Sequence, residues 1–323
     1  MNEPGPVCPV CASAATRFLL RNTDFLFGTT DREFRVYRCA ECAACFQHPR
    51  PPEDVLRRAY PEAYWWVTGE ERTTLAARLE KIYRETVLRH HVRVARRHFP
   101  CPAPRVLDVG CGSGTFLAML RRRTGVDGQG LESSTAAARR AEEVYGLTVH
   151  PLGLDEADFA PGSFDLITMF HVLEHLPHPQ DTLARIRRWL SPHGVLLVQV
   201  PNVASWQFRW FGRRWTGIDL PRHLVSFSPS ALRRLLEQAG FTPNRFTWFS
   251  LRDNAPAMAS SLCPAWDPVA MNLRGRKEFA FLKKVLYFGL VLALQPLAAL
   301  EAAAGRGGTM FVAAHPTEAI SGG

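Results

Sequence analysis

The chain has 323 residues, of which 46% are apolar, the proportion of an ordinary globular protein with room for one large domain and an appendage. Its formal charge of +9 rests almost wholly on arginine, because Lys81, Lys277, Lys283 and Lys284 are the only lysines. That skew reads as a compositional bias and argues against a built phosphate-binding face. No apolar signal-peptide core opens the chain, so a cytoplasmic start is expected. Reduced cysteines in that compartment point to metal or packing and exclude a disulfide framework.

The first such cysteines form two C-x-x-C knuckles, Cys8-Pro-Val-Cys11 and Cys39-Ala-Glu-Cys42. Four thiolates can close a tetrahedral zinc shell, and a closed shell is structural because it leaves no position for substrate. Arg17–Leu20 and Phe34–Arg38 can pair between the knuckles, so residues 1–52 read as a zinc ribbon ligated by Cys8, Cys11, Cys39 and Cys42. The separation of the knuckles exceeds the usual 15–20 residues and leaves room for a long hairpin. Cys45 repeats the spacing after Cys42 and is expected to pack beside the site. Residues 53–104 read as a linker and helices. Tyr60–Val67 can line a pocket entrance or staple the two modules together. A helix over 72–99 follows, with His90, His91 and His98 expected on its solvated side or at its cap.

Residues 105–117 read RVLDVGCGSGTFL. Val106, Leu107 and Val109 suit a buried parallel strand, and Phe116, Leu117, Met119 and Leu120 resume at helical spacing. Gly110, Gly112 and Gly114 stand where strand becomes helix, so backbone approaches a ligand there with no Cβ in the way. A dinucleotide loop would need G-x-G-x-x-G; here the third glycine comes one residue early. Asp108 suits a cationic amine better than a phosphate. The stretch resembles motif I of the class I S-adenosylmethionine-dependent methyltransferases. The resemblance implies that Asp108, Gly110, Cys111, Gly112 and Gly114 hold the amino acid end of that cofactor.

A second strand, Asp127–Glu132, ends in an acidic residue placed to take both ribose hydroxyls of an adenosine. Ser133–Tyr145 is the next helix and Leu147–Leu152 the third strand. Leu154 and Asp155 follow where the family places groups around the adenine. Gly162–Phe170 is the fourth strand, and His171-Val-Leu-Glu174-His175-Leu resembles the same segment in methyltransferases related to the ubiquinone-biosynthesis enzymes. His171 is expected to face the cofactor, with Glu174 and His175 near the acceptor. Gly194–Pro201 is the fifth strand, Pro229–Ala239 a helix capped by Gly240, Phe246–Phe249 the sixth strand and Thr309–Ala314 the last.

The resemblance implies an α/β fold over 105–316: a doubly wound seven-stranded sheet in the order 3-2-1-4-5-7-6 with its last strand antiparallel. Asn202–Pro229 carries interleaved aromatics and arginines, then His223, which related enzymes return to the crevice. His171, Glu174, His175 and His223 are therefore the candidate catalytic residues, a histidine being able to take a proton near neutral pH. The (Asp/Asn)-Pro-Pro-aromatic motif of base-amine methylation is replaced by Met169-Phe170-His171-Val172. The expected activity is methyl transfer from S-adenosylmethionine to a hydroxyl of a small-molecule, sugar or lipid-linked acceptor. An RNA methyltransferase using the ribbon, and a non-catalytic interaction protein, are the alternatives. The apolar insertion 279–304 is expected to form a helical hairpin or lid that rests on a membrane interface or covers the crevice, since Val285–Leu294 falls short of the roughly 20 residues a span needs.

Overall fold

The computed structural model describes residues 5–61, 75–275 and 279–317. Both knuckles turn on an alanine with positive φ, Ala12 at 57° and Ala43 at 60°, whose N–H donates to the carbonyl of Cys8 or Cys39. Strands β1 (Thr16–Asn22) and β2 (Phe34–Cys39) pair antiparallel, and β3 (Cys45–Gln47) joins β2 on its other side. A short helix α1 (Glu53–Ala59) leaves the ribbon; residues 62–67 of the aromatic segment lie outside the described residues.

Helix α2 (Leu75–Arg96) leads to β4 (Val106–Val109), in which all four residues are buried. Then come α3 (Thr115–Thr124), β5 (Gly128–Leu131), α4 (Thr135–Tyr145) and β6 (Thr148–His150). Helix α4 starts on the Ser134 side chain, which accepts from the Ala137 N–H, and stops at Gly146, whose φ of 60° suits glycine. The chain continues through β7 (Phe164–Phe170), a tight turn at Leu173–His175, α5 (Pro179–Trp189), β8 (Leu190–Pro201) and α6 (Trp206–Phe211). Last come β9 (Val225–Ser226), α7 (Pro229–Gln238), β10 (Phe241–Pro243), α8 (Asn254–Leu262), α9 (Pro268–Leu273), α10 (Ala280–Ala303) and β11 (Thr309–Pro316).

The large sheet runs β6-β5-β4-β7-β8-β11-β10. Numbered along the domain this is 3-2-1-4-5-7-6, with β11 antiparallel to both neighbours and β4 through β8 parallel. Side chains alternate between its faces. Leu107, Ile167, Met169, Leu196 and Val198 pack against α5 and α7, whereas Val106, Leu166, Val195 and Leu197 pack against α2 and α3. Burial on both faces accounts for the unbroken apolar runs of these strands.

Two features differ from the sequence reading. The sixth strand is Phe241–Pro243, because Gly240 (φ 79°) turns the chain straight from α7 into the sheet. The chain still donates from Asn244 N–H to the Ala313 carbonyl, and the expected Phe246–Phe249 touches the sheet through a single bridge, Thr247 to Phe311. The apolar insertion is one helix, α10, with no hairpin. It continues past Pro296 because Ala298 and Glu301 beyond it are buried against the domain. The ribbon is joined to the large domain through a strand. Strand β9, far along the chain, pairs with β3 and completes the small sheet β1-β2-β3-β9.

Candidate active site

The glycine loop sits at the end of β4. Gly110, Gly112 and Gly114 have φ of 69°, 54° and 74°, a region that disfavours side chains. A Cβ on Gly110 would meet Val172 at 2.5 Å, and one on Gly114 would meet Leu147 at 2.5 Å, whereas Gly112 faces open space. The loop thus packs tightly at both ends and leaves a cradle in the middle. Glu132, just past β5, accepts from the Gly112 N–H at 2.9 Å and the Ser134 N–H at 2.8 Å. Asp108 is buried and accepts from Thr168 Oγ1 at 2.5 Å. Burial, reinforced by the Glu132 charge and opposed by the Thr168 hydrogen bond, pushes its carboxyl up to about 7. Burial also raises Glu132. Two desolvated acids around an open glycine loop fit a ligand with a cationic end and a diol. Cys111 contributes backbone only, since its thiol is buried against Gly130. Leu154 is half-buried and Asp155 exposed.

Four candidate residues converge at the ends of β7 and β8. His171 directly follows β7 with φ of 58°, an unusual conformation for a side-chain-bearing residue, which signals a constrained site. Its Nδ1 lies 3.2 Å from Glu174 Oε1 and its Nε2 3.3 Å from Asp253 Oδ2. Burial alone would lower its pKa, but the Asp253 and Glu174 carboxylates outweigh that and hold it up to about 9. Burial would raise Glu174, and His171 beside it holds it below its ordinary value. Burial, then the charge of His223, drives His175 down to about 4. His175 Nδ1 lies 3.0 Å from the Arg222 carbonyl and 2.8 Å from Tyr60 Oη. His223 Nδ1 lies 3.0 Å from the Gly217 carbonyl, which can only accept, so Nδ1 carries a proton. His223 Nε2 is 3.9 Å from Glu174 Oε1. Both His171 and His223 line an open cleft of about 230 Å³, together with Trp215, Asp253 and Tyr287. Glu174, His175 and His223 each bring a ligand atom within 4.8 Å of the others, and Glu174 Oε2 is buried with no hydrogen-bond partner among the described residues. Such a trio can hold a divalent ion.

Other members of the site escaped the sequence reading. His91 is buried, contrary to its expected solvated position: α2 packs against the sheet, so the ring stacks on Phe170 and reaches Gln199. Gln199 Nε2 donates to Asp253 Oδ2 at 2.6 Å. The one signal for Gln199 was a polar residue inside an apolar strand. Arg222 is fully buried between Asp219 and Asp24, at 2.7 and 2.8 Å, and so ties the His223 loop to the ribbon.

In the ribbon, Cys8 Sγ is 3.6 Å from Cys42 Sγ and Cys11 Sγ 3.5 Å from Cys39 Sγ, with all four thiols within 4.8 Å of one another. Zinc–sulfur bonds of about 2.3 Å set tetrahedral sulfur edges near 3.8 Å, so these four fit a closed structural zinc. Cys45 is buried among Phe34, Val36 and Trp215, beside the four and outside them.

A family model described as a methyltransferase domain matches residues 75–244, which is 170 of the 323 residues. The chain belongs to this methyltransferase family. Its domain is that of an S-adenosylmethionine-dependent methyltransferase. The methyltransferase is 31% identical over 188 residues to the ubiquinone biosynthesis O-methyltransferase of Methylococcus capsulatus, covering 54% of this chain and 75% of that one. The enzyme of that name in Azorhizobium caulinodans is 28% identical over 61% of this chain and 87% of its own length. Among solved structures, a geranyl diphosphate methyltransferase in complex with S-adenosylmethionine aligns with a TM-score of 0.50 at 16% identity, over 79% of this chain and 95% of that one. The [4+2]-cyclase SpnF also gives 0.50, at 19% identity, over 71% and 81%. At these identities the two structures speak for the fold alone.

Proposed function

We propose that this methyltransferase acts on a hydroxyl of a small-molecule, sugar or lipid-linked acceptor, with His223 taking the hydroxyl proton. The observation that carries this reading is His223 on the cleft wall, its Nδ1 held by the Gly217 carbonyl and its Nε2 3.9 Å from both Glu174 Oε1 and Asp219 Oδ2. The other histidines suit the task less well. His171, held up to about 9, is a cation at neutral pH, and His175, down at about 4, is a weak base. S-adenosylmethionine, when bound, supplies the methyl group on a positively charged sulfur. Asp108 and the loop Gly110–Gly114 would hold its amino acid end, Glu132 its ribose, and Leu154 with Asp155 its adenine. Glu174 would then stabilise the imidazolium as His223 receives the proton. Alignment of the reactants supplies up to about 7–11 kcal/mol and the base a further 10²–10⁴-fold, by order of magnitude.

The test is cofactor-dependent product formation over a panel of hydroxylated acceptors. His223→Ala is expected to bind S-adenosylmethionine normally and to lose turnover by about 10²–10⁴-fold. Normal turnover in both His175→Ala and His223→Ala would remove the base. Methylation of RNA, with salt-dependent binding, in preference to every small acceptor would replace the acceptor class. The unpartnered Glu174 Oε2 favours one second arrangement, in which Glu174, His175 and His223 hold a divalent ion that polarises the hydroxyl. Stimulation by added Mg²⁺ or Mn²⁺, in protein that retains its zinc, would single it out.

A further inference from the structure

Helix α10 has two apolar faces and the domain covers one of them. Tyr287, Val291 and Ala298 are buried against α8, the Tyr287 hydroxyl lying 3.1 Å from Ser260 Oγ and the Glu301 carboxylate accepting from Gln207 Nε2 at 3.2 Å. At 100° per residue the opposite side carries Phe281, Val285, Leu292 and Leu300, exposed by 66%, 46%, 64% and 59%. From Phe281 to Leu300 this uncovered stripe is about 28 Å long at 1.5 Å per residue. Only 22% of the most apolar 18-residue window is buried, so α10 is not a core helix. It is long and apolar enough to cross a bilayer. Yet its inner face is buried against the domain from Tyr287 to Glu301, and the chain re-enters the large sheet between β8 and β10 as β11 soon after it ends. The helix is therefore held flat on the domain.

Charge distinguishes the possible occupants. Between Ala280 and Arg306 the only acidic residue is Glu301, which is buried, whereas Lys283 and Lys284 stand in the first turn and Arg306 is exposed just past the end. Helix α6 lies beside α10, joined through Gln207 and through Phe211 against the Tyr287 cluster. It carries exposed Arg209 and half-exposed Trp210, followed by exposed Arg213 and Arg214, and no acidic residue occurs between Ala204 and Ile218. An apolar stripe with cationic and tryptophan neighbours is the pattern of a helix lying in a membrane interface. A second copy of the chain would have to set these positive charges against their equivalents. We infer that the outer face of α10 docks the protein on an anionic lipid bilayer. This inference is independent of the acceptor and of the base.

The experiment is cosedimentation of the purified full-length protein with vesicles of phosphatidylcholine, alone or mixed with phosphatidylglycerol. The wild type is expected to pellet with the anionic vesicles and to be released by salt. Leu286→Glu combined with Leu292→Glu, both on the exposed side, should lower the bound fraction by about tenfold or more, with S-adenosylmethionine binding retained as the sign of an intact fold. Lys283→Glu with Lys284→Glu should weaken the preference for phosphatidylglycerol. Absence of binding to either vesicle would overturn the inference. So would a dimer in light scattering that the Leu286→Glu, Leu292→Glu variant dissolves, or a protein that leaves membranes only with detergent.

Discussion

Burial decides the charge of Asp108, and so the pH at which the glycine loop can hold a cation. An unfolded chain titrates such a carboxyl near pH 3.9. In the folded chain desolvation, helped by Glu132, lifts it to about 7 despite the Thr168 hydroxyl. A raised carboxyl favours the folded state fully only below about pH 4, and that contribution is gone once pH has risen through about 7. A cationic amine against the carboxylate has the opposite dependence, because it binds the ionised form. Stabilisation by S-adenosylmethionine should therefore grow as pH rises through about 7. Thermal unfolding at about pH 6 and about pH 8 should show the larger cofactor-induced rise in Tm at the higher pH. Asp108→Asn should flatten the difference. Equal rises in the wild type would place the amine away from Asp108.

Elements whose identity is set locally were legible, and those set by distant pairing were not. The passage from β4 through the glycine loop to α3 could be read because strand, turn and helix signals are contiguous in thirteen residues, Arg105–Leu117. Strand β9 has two residues and no periodicity; it is a strand because β3 offers it a free edge. Asp24 gave no sequence signal at all, and its role appears only when the fold brings Arg222 to it across 198 positions. That contact makes the ribbon a support for the His223 loop. Arg222→Ala would leave Asp24 without its counter-charge, held only by Phe27 and Thr29 donors, in a site where it is 2% exposed. Breaking such a buried pair costs about 3–5 kcal/mol. The variant should lose a large part of its stability in denaturant unfolding, and catalysis should suffer more than cofactor binding, since Asp108 and Glu132 lie on other elements. A change below about 0.5 kcal/mol would show that Asp24 finds another partner.

The ribbon and the methyltransferase domain share a sheet, a buried ion pair and an apolar cluster. Phe34, Val36 and Cys45 from the ribbon pack with Trp215, Ile218 and Leu220 from the loop that leads to His223, and Ser228 Oγ at the start of α7 donates to the Cys42 carbonyl at 2.8 Å. Independent modules unfold in separate steps, whereas modules that bury each other's apolar surface unfold together. Structural zinc contributes directly to folding, so its removal weakens whatever the ribbon is coupled to. Calorimetry of the whole chain should show one transition that includes the large sheet, and a chelator strong enough to strip zinc should lower that transition as a unit. Two transitions, with the upper one indifferent to the chelator, would mean that the shared contacts are too weak to couple the modules. The single shifted transition follows from placing Trp215 and Arg222 on the ribbon side of the cleft. Loss of the ribbon would strip Trp215 of its ribbon neighbours and take Asp24 from Arg222, which keeps Asp219, and the chain between them carries the Gly217 carbonyl that bonds His223 Nδ1.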